Sequence, residues 1–354
     1  MSNLVSPPKG RGALTNANSR YDEYIREAFD DGWGSEPEAR PQTTTLTADS
    51  ARSVITFNRS PDVPFDRSIN PYRGCEHGCI YCFARPTHAR LGLSAGLDFE
   101  TRLFYKENAA HLLRAELAKP GYRCAEIVLG ANTDAYQPIE RKLKISRQIL
   151  EVLSETRHPV SILSKSALIE RDIDILAPMA EAGLARVFIS VTTLDPKTAR
   201  TMEPRAAAPL RRLQAIETLS RAGIPVGALI APVVPMLTDH ELERIMTSVK
   251  DAGARDVNYV LLRLPLEIKD LFGQWLDAHT PLKSAHVFAR IQDMREGKAY
   301  DAKYGTRMTG TGLFAELLAK RYQIAHRRLG FGGMPDLTSA LFQPPRDSAQ
   351  LALF

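Results

Sequence analysis

The chain has 354 residues, 46 Lys and Arg against 41 Asp and Glu, and a pI near 9.0. This length suits one α/β barrel domain with appendages or two smaller domains. The sequence has no run of about 18 apolar residues and no apolar core of a secretory signal near its start, so we expect a cytoplasmic protein without a membrane partner. The mild positive charge is compatible with a nucleic-acid partner but is weak evidence for one.

Composition along the chain predicts four parts. Residues 1–52 are rich in Pro, Gly, Ser, Thr and Asn and are expected to form a largely irregular N-terminal arm, with a short helical patch at 19–31. Residues 53–268 are expected to form a barrel domain. Residues 269–340 have the pattern of a helical C-terminal extension, and residues 341–354 that of a flexible tail.

The barrel assignment depends on a regular alternation of apolar runs and amphipathic segments. Several predicted helices end in Ala-Gly, at Gly183, Gly223 and Gly253, which is a common helix stop. Single helices between strands indicate parallel βα units. The six predicted strands are FETRLFYK, AEIVLG, PVSILSKS, ARVFISVTT, PVGALIAPVVP and DVNYVLLRLP. We therefore predict an α/β fold, either a partial (β/α)6 TIM-like barrel or an open parallel sheet.

In both folds the chemistry is expected at the carboxyl ends of the strands. Polar residues follow the predicted strands at that edge. They are Asn132, Thr133 and Asp134, then Ser164 and Lys165, then Ser190 and Thr192, and finally Arg263. Two basic groups also occur, Arg205, Arg211 and Arg212, and Lys320, Arg321, Arg327 and Arg328, which we interpret mainly as solvated helix faces.

The segment INPYRGCEHGCIYCFARPTHA places Cys75, Cys79 and Cys82 in a Cys-x3-Cys-x2-Cys pattern. Three thiolates so close together can converge on one metal centre if the loop wraps around it, and Gly74 and Gly78 supply the freedom to do so. Structural zinc normally has four protein ligands, whereas a cubane cluster with three cysteines keeps one open iron. A zinc site would need a fourth ligand from His77, His88 or Cys124.

The pattern of Cys75, Cys79, Tyr81 and Cys82 resembles the signature of the radical S-adenosylmethionine (SAM) superfamily. The resemblance implies a partial βα barrel in which the three cysteines hold a 4Fe–4S cluster and Tyr81 packs over it. It also implies that SAM binds the open iron and that one-electron reduction cleaves SAM to a 5′-deoxyadenosyl radical. The reductant implied is a flavodoxin or a ferredoxin.

Segments such as LGANTDAYQPIE and ILSKSALIERDID, roughly within residues 65–265, further resemble the spore photoproduct lyase-like branch. That similarity implies that SAM is contacted by Lys165 and Ser190 at its carboxylate end and by Asn132 and Thr133 at its amino group or ribose. It assigns Glu203 and Arg212 to the next polar pair, which could equally form a structural ion pair. The lyase cysteine that returns a hydrogen atom to the product corresponds here to Ala131, which puts photoproduct cleavage by the same chemistry in doubt.

The last five residues, Gln350, Leu351, Ala352, Leu353 and Phe354, resemble the short peptides with which bacterial DNA-repair proteins bind the sliding clamp. The alternative is a hydrophobic terminus that folds back on its own domain.

Three functional hypotheses follow from the sequence. The first is a radical SAM enzyme that acts on DNA or another nucleic acid. The second places the same chemistry on a peptide, a protein side chain or a metabolite, which Ala131 favours somewhat. The third is a metal-stabilised adaptor that binds the clamp without catalysis.

Overall fold

The computed structural model describes residues 8–22 and 43–345. Most of the predicted helical patch at 19–31 and the whole C-terminal pentapeptide lie outside these ranges. Within them, no helix has both the length and the apolar character needed to cross a bilayer.

The strands of the described residues are β1 (Thr45–Ala48), β2 (Ile55–Phe57), β3 (Arg67–Ile69), β4 (Tyr72–Arg73), β5 (Arg102–Tyr105), β6 (Ile127–Leu129), β7 (Val160–Ser164), β8 (Ala185–Ser190), β9 (Val226–Val233) and β10 (Asp256–Leu261). The α-helices are α1 (Leu97–Thr101), α2 (Ala109–Leu117), α3 (Glu140–Leu143), α4 (Ile145–Glu155), α5 (Ile173–Glu181), α6 (Pro196–Met202), α7 (Pro209–Arg221), α8 (Leu242–Asp251), α9 (Ile268–His279), α10 (Pro281–Asp293) and α11 (Gly312–Arg328). Short 3-10 helices lie at Arg85–Leu91, Ala167–Asp172 and Asp239–Glu241.

The main sheet has seven strands in the order β10-β9-β8-β7-β6-β3-β2. Every neighbouring pair is parallel except β2 and β3, which form an antiparallel pair at one edge. Helices connect the successive strands from β6 to β10, as the alternation of apolar and amphipathic segments predicts. The result is a mixed α/β fold with an open, mainly parallel sheet, whose two edges are β10 and β2.

The prediction for the first strand of this sheet is wrong. FETRLFYK was expected to begin the parallel series, but its first part is the end of α1, and its second part is β5, which pairs with β1 and β4 in a separate three-stranded sheet. The main sheet instead has β3, which pairs with β6 through Ser68 opposite Val128 and Ile69 opposite Leu129. A strand of three residues that includes an arginine and a serine has too little apolar pattern to be detected.

The two largest hydrophobic cores of the described residues stabilise this arrangement. The larger core lies between the main sheet and the helices that follow its strands, and residues such as Ile162, Val187 and Leu150 are fully buried there. The second core joins Ile80 and Tyr81 of the cysteine segment to Leu262 beyond β10 and to Phe272 and Trp275 of α9. α9, the first of the three C-terminal helices, therefore packs against the segment that carries the predicted metal site.

Helix ends follow the sequence signals in most places. Gly183, Gly223 and Gly253 follow α5, α7 and α8 with φ of 70°, 79° and 99°, the left-handed stop that their position predicts. Lys144, with φ of 53°, separates α3 from α4.

A segment between α10 and α11, residues 300–308, crosses between the two edges of the main sheet. At one end the amide of Leu261 in β10 donates to the carbonyl of Met308 (2.9 Å). At the other, the Gly305 amide donates to Asp62 (2.7 Å) in the turn between β2 and β3, and Arg307 forms an ion pair with the same carboxylate. This bridging segment, as we call residues 300–308, thus spans the open side of the sheet.

Candidate functional site

The three clustered cysteines lie on a loop, residues 74–83, that follows β4 and which we call the cysteine loop. Gly74 and Gly78 have φ of 79° and 66°, so the loop turns in the left-handed region that glycine adopts without strain. A Cβ on Gly78 would lie 2.8 Å from Oε2 of Glu100. The loop path therefore requires glycine at this position for both conformation and space.

The thiols of this loop are enclosed by protein. Cys75 and Cys79 are 6% and 7% exposed, and Cys82 is partly buried. Burial raises the pKa of all three thiols, and for Cys79 burial together with the nearby Glu203 carboxylate raises the pKa to about 12. Buried thiols of this kind ionise when a cationic centre compensates the thiolate charge, as iron does. The donor set therefore fits a metal centre.

A buried ion pair stabilises the cysteine loop. The guanidinium of Arg85 donates to the carbonyls of Cys79 (2.9 Å), Gly78 (3.1 Å) and two residues of the 95–96 turn, and it pairs with Glu100. Both side chains of the pair are 0% exposed. The sequence interpretation did not identify these two residues, since neither belongs to the cysteine pattern.

The N-terminal segment 8–22 covers this ion pair and the loop. The amides of Gly12 and Ala13 donate to the two carboxylate oxygens of Glu100 (3.0 and 2.9 Å). A Cβ on Gly12 would lie 1.9 Å from the carbonyl oxygen of Gly78, so the two backbones are in direct contact. Part of the predicted arm is thus a packed, irregular cover over the cysteine loop.

Glu203 and Arg212, expected as a polar pair, form a buried ion pair beside the cysteine loop. Arg212 also donates to the carbonyl of Ser190 at the end of β8 (3.1 Å), and Thr192 donates to Glu203 (2.8 Å). The Tyr81 hydroxyl donates to the same carboxylate. Burial alone would raise the pKa of Glu203, but Arg212 and Lys165 outweigh burial and lower it to about 2, so the carboxylate is ionised at neutral pH.

Lys165, immediately after β7, lies on the other side of Tyr81. Its Nζ is 5.9 Å from the centre of the Tyr81 ring. Its amide donates to Asp134 (2.7 Å), which also accepts from Ser164 (2.8 Å) and lies 3.3 Å from His77 Nδ1. Burial would raise the pKa of Asp134, but His77 and these hydrogen bonds lower it to about 2. Asp134 therefore ties the ends of β6 and β7 to the cysteine loop, a role that its position at the predicted edge did not specify.

The two polar residues after β6 contact the segment between β3 and the cysteine loop. Thr133 is 2% exposed and its hydroxyl donates to the carbonyl of Tyr72 (2.7 Å). The amides of Asn132 and Thr133 donate to Asn70 (2.8 and 3.3 Å), while the side chain of Asn132 is only partly buried. Ala131 precedes them in the same turn and is partly buried. The geometry thus gives Thr133 a role in positioning the loop.

The candidate fourth ligands of a zinc site have other surroundings. His77 pairs with Asp134, and His88 is buried with Nε2 2.9 Å from the Arg102 carbonyl. Cys124 is partly buried and lies ahead of β6, at the opposite end of the strand from the cysteine loop. Within residues 8–22 and 43–345, no three His, Cys, Asp or Glu side chains are grouped closely enough to hold a single metal ion.

The first basic group of the sequence is not a solvated helix face. Arg205, Arg211 and Arg212 pair with Glu76, Glu170 and Glu203, and Arg212 is only 1% exposed. In the second group, Lys320, Arg327 and Arg328 are exposed on α11 as expected, and Arg321 pairs with Glu243.

Taken together, the site is a loop of three enclosed cysteines at the carboxyl ends of parallel strands, flanked by a lysine and a buried Glu–Arg pair. It belongs to a protein with a mixed α/β fold and an enclosed cysteine loop. Residues 69–249 match the model of the radical SAM superfamily, and the chain belongs to that superfamily.

Related sequences occur in bacteria and archaea. An uncharacterised protein of Mycobacterium tuberculosis is 35% identical over 252 residues, which cover 70% of this chain and 74% of that protein. An uncharacterised protein of Methanocaldococcus jannaschii is 30% identical over 173 residues, which cover 49% of this chain and 62% of that protein.

Solved structures of spore photoproduct lyase share the fold. One mutant lyase superposes with a TM-score of 0.55 at 15% identity and covers 81% of this chain and 80% of its own. The lyase complexed with dinucleoside spore photoproduct gives a TM-score of 0.53 at 14% identity, with 80% and 78% covered. At this level of identity the likeness shows a shared fold.

Proposed function

We propose that this protein is a radical SAM enzyme in which Cys75, Cys79 and Cys82 hold a 4Fe–4S cluster, and that its substrate is DNA or another nucleic acid. The observation that carries the proposal is the enclosed three-cysteine loop at the carboxyl ends of the parallel strands. In a cubane cluster three irons can each take one cysteine, which leaves the fourth iron open. The proposed location is the cytoplasm, where thiols stay reduced.

When bound, the cluster and SAM would supply a 5′-deoxyadenosyl radical that removes a hydrogen atom from the substrate. The residues of this chain would bind and orient SAM. Lys165 offers a point charge for its carboxylate, and Ser190, Asn132 and Thr133 offer short polar groups at the strand ends. Glu203 and Arg212 would hold Tyr81 against the cluster, because both Arg212 and the Tyr81 hydroxyl bond to the Glu203 carboxylate.

The nucleic-acid substrate is supported by the lyase-like fold and by the final five residues. We propose that Gln350–Phe354 binds a sliding clamp, with Leu353 and Phe354 in an apolar pocket. Deletion of residues 350–354 should abolish clamp binding in a fluorescence polarisation assay and leave SAM cleavage unchanged. The electron donor is proposed to be a flavodoxin or a ferredoxin.

The test is anaerobic reconstitution with iron and sulfide, followed by reduction with SAM and assay for 5′-deoxyadenosine. Parallel reactions contain ultraviolet-irradiated duplex DNA, undamaged single-stranded DNA, a peptide library or a small-metabolite pool. Stimulation of 5′-deoxyadenosine formation by nucleic acid alone supports the proposal. Stimulation by peptides or metabolites alone refutes the nucleic-acid substrate.

The second candidate is the same chemistry on a peptide, a protein or a metabolite. Ala131 favours it, because a methyl group in the turn after β6 supplies no hydrogen-donating thiol at that position. A clamp-binding adaptor without catalysis is the third. It predicts that metal chelation unfolds the protein and that SAM has no effect on its stability.

A further inference from the structure

Arg263, two residues beyond β10, lies beside the proposed active site. Within the described residues its side chain forms no hydrogen bond or ion pair with a carboxylate, and Asp62 acts on it only at longer range. Its closest acceptors are the Met308 sulfur (3.5 Å from Nη1) and the Tyr300 hydroxyl (3.4 Å from Nη2), both in the bridging segment. Sulfur is a weak acceptor, and 3.4 Å is long for a hydrogen bond. Its Nε is buried and has no hydrogen-bond partner.

Two fully buried arginines of the described residues have carboxylate partners. Arg85 pairs with Glu100 and Arg212 pairs with Glu203, at side-chain exposures of 0–2%. Among the described residues, no carboxylate oxygen lies within 4.0 Å of the Arg263 guanidinium. A buried polar group without a partner costs stability and calls for an explanation in terms of an unseen ligand or a function.

The charges around Arg263 leave the region positive. Arg295 is 2% exposed, donates only to the carbonyls of Leu262 and Thr306, and has its pKa lowered by burial and by Arg263. The nearby Asp62 carboxylate is already paired with Arg307. Asp301 acts on Arg295 at longer range. Three arginines thus face two carboxylates, so a ligand with negative charge is favoured here.

The position of Arg263 connects this charge to the cysteine loop. Its guanidinium lies over the ring of Phe83, 5.7 Å from the ring centre, and Phe83 directly follows Cys82. Phe83 is 47% exposed although it is a large apolar side chain. An exposed aromatic ring beside an unpaired arginine is the combination with which proteins hold a base and its phosphate.

We propose that Arg263 and Phe83 form a substrate anchor, in which Arg263 binds a backbone phosphate and Phe83 stacks against a base next to the nucleotide that reacts. The planar guanidinium can present two N–H donors to one phosphate, replacing its weak contacts with Tyr300 and Met308. This inference rests on the proposed nucleic-acid substrate and adds the residues that would bind it.

The test compares wild type with Arg263→Gln and Arg263→Lys. The control is Arg290→Gln, since Arg290 also lies over a ring (Phe314, 5.6 Å) but pairs with Asp293. The probes are a fluorescein-labelled 12-nucleotide single-stranded DNA, followed by anisotropy, and inorganic pyrophosphate, followed by calorimetry. Formation of 5′-deoxyadenosine without substrate is also measured in every variant.

We expect Arg263→Gln to weaken binding of both probes by about tenfold or more and Arg263→Lys to weaken it less. The salt dependence of DNA binding should correspond to about one phosphate contact fewer in Arg263→Gln. Equal binding by wild type and Arg263→Gln overturns the anchor and leaves the nucleic-acid substrate standing. If pyrophosphate binds and this binding requires Arg263, but DNA does not bind, the phosphate site stands and the nucleic-acid substrate is refuted. Wild-type protein that binds neither probe overturns both.

Discussion

Replacement of Glu100 by Gln should destabilise the cysteine loop severely. The carboxylate is 0% exposed, pairs with Arg85 and accepts the amides of Gly12 and Ala13 on separate oxygens. A glutamine removes the charge that compensates Arg85 and turns an NH₂ group toward one of those amides. Breaking a buried pair from one side costs about 3–5 kcal/mol, because the remaining charge stays buried and uncompensated.

The assay is urea denaturation of the metal-free protein by circular dichroism, with iron incorporation measured separately after reconstitution. The control is Glu155→Gln, which breaks the ion pair with Arg114 whose side chains are 41% and 48% exposed. Such surface pairs contribute about 0–1 kcal/mol. If Glu100→Gln lies within about 1 kcal/mol of wild type and takes up the same iron, the loop is not held in the way described.

Three further predictions concern a turn, a histidine and a lysine. Gly78→Ala and Gly92→Ala both place alanine at a φ of 66°, which costs about 1 kcal/mol of stability in each variant. Only the new Cβ of Gly78→Ala meets another group, Glu100 at 2.8 Å, so iron incorporation should fall in that variant alone. Equal loss in both variants would contradict this. Burial lowers the pKa of His158 from 6.5 to about 4. As the pH falls, the unfolded chain therefore binds the proton before the folded protein does, and the free energy of unfolding should fall by about 3 kcal/mol from pH 6.5 to pH 4. That component should be missing in His158→Gln when the two proteins are compared by urea denaturation across this range. Lys165→Gln should weaken SAM binding about tenfold in calorimetry without lowering the melting temperature, and unchanged affinity would remove Lys165 from the SAM site.

The long parallel strands were predictable from sequence because most of their residues are apolar, as in β7 to β9. The cysteine loop was predictable because spacing and glycine placement are local signals. The three-residue β3 was not, since its pairing with β6 depends on neighbours distant in sequence.

The residues that support the site could not be predicted from the sequence either. Arg85 and Glu100 are separated by 15 positions and belong to no motif, and segment 8–22, distant in sequence, packs over them. For Arg212 the structure shows the ion pair with Glu203, which also accepts from the Tyr81 hydroxyl, and the cofactor contact stays a prediction. Such roles come from tertiary contacts, which a periodic pattern does not encode.

The central claim is that Cys75, Cys79 and Cys82 together hold the cluster that allows SAM to be cleaved. The most direct measurement is iron content and 5′-deoxyadenosine formation, after anaerobic reconstitution and reduction, in wild type, in the three single Cys→Ala variants and in Cys124→Ala as the matched control. The account predicts that Cys124→Ala behaves as wild type and that each of the other three loses 5′-deoxyadenosine formation. Cleavage of SAM that persists when any of the three is removed, or a wild-type protein that carries its cluster and never cleaves SAM, would contradict it.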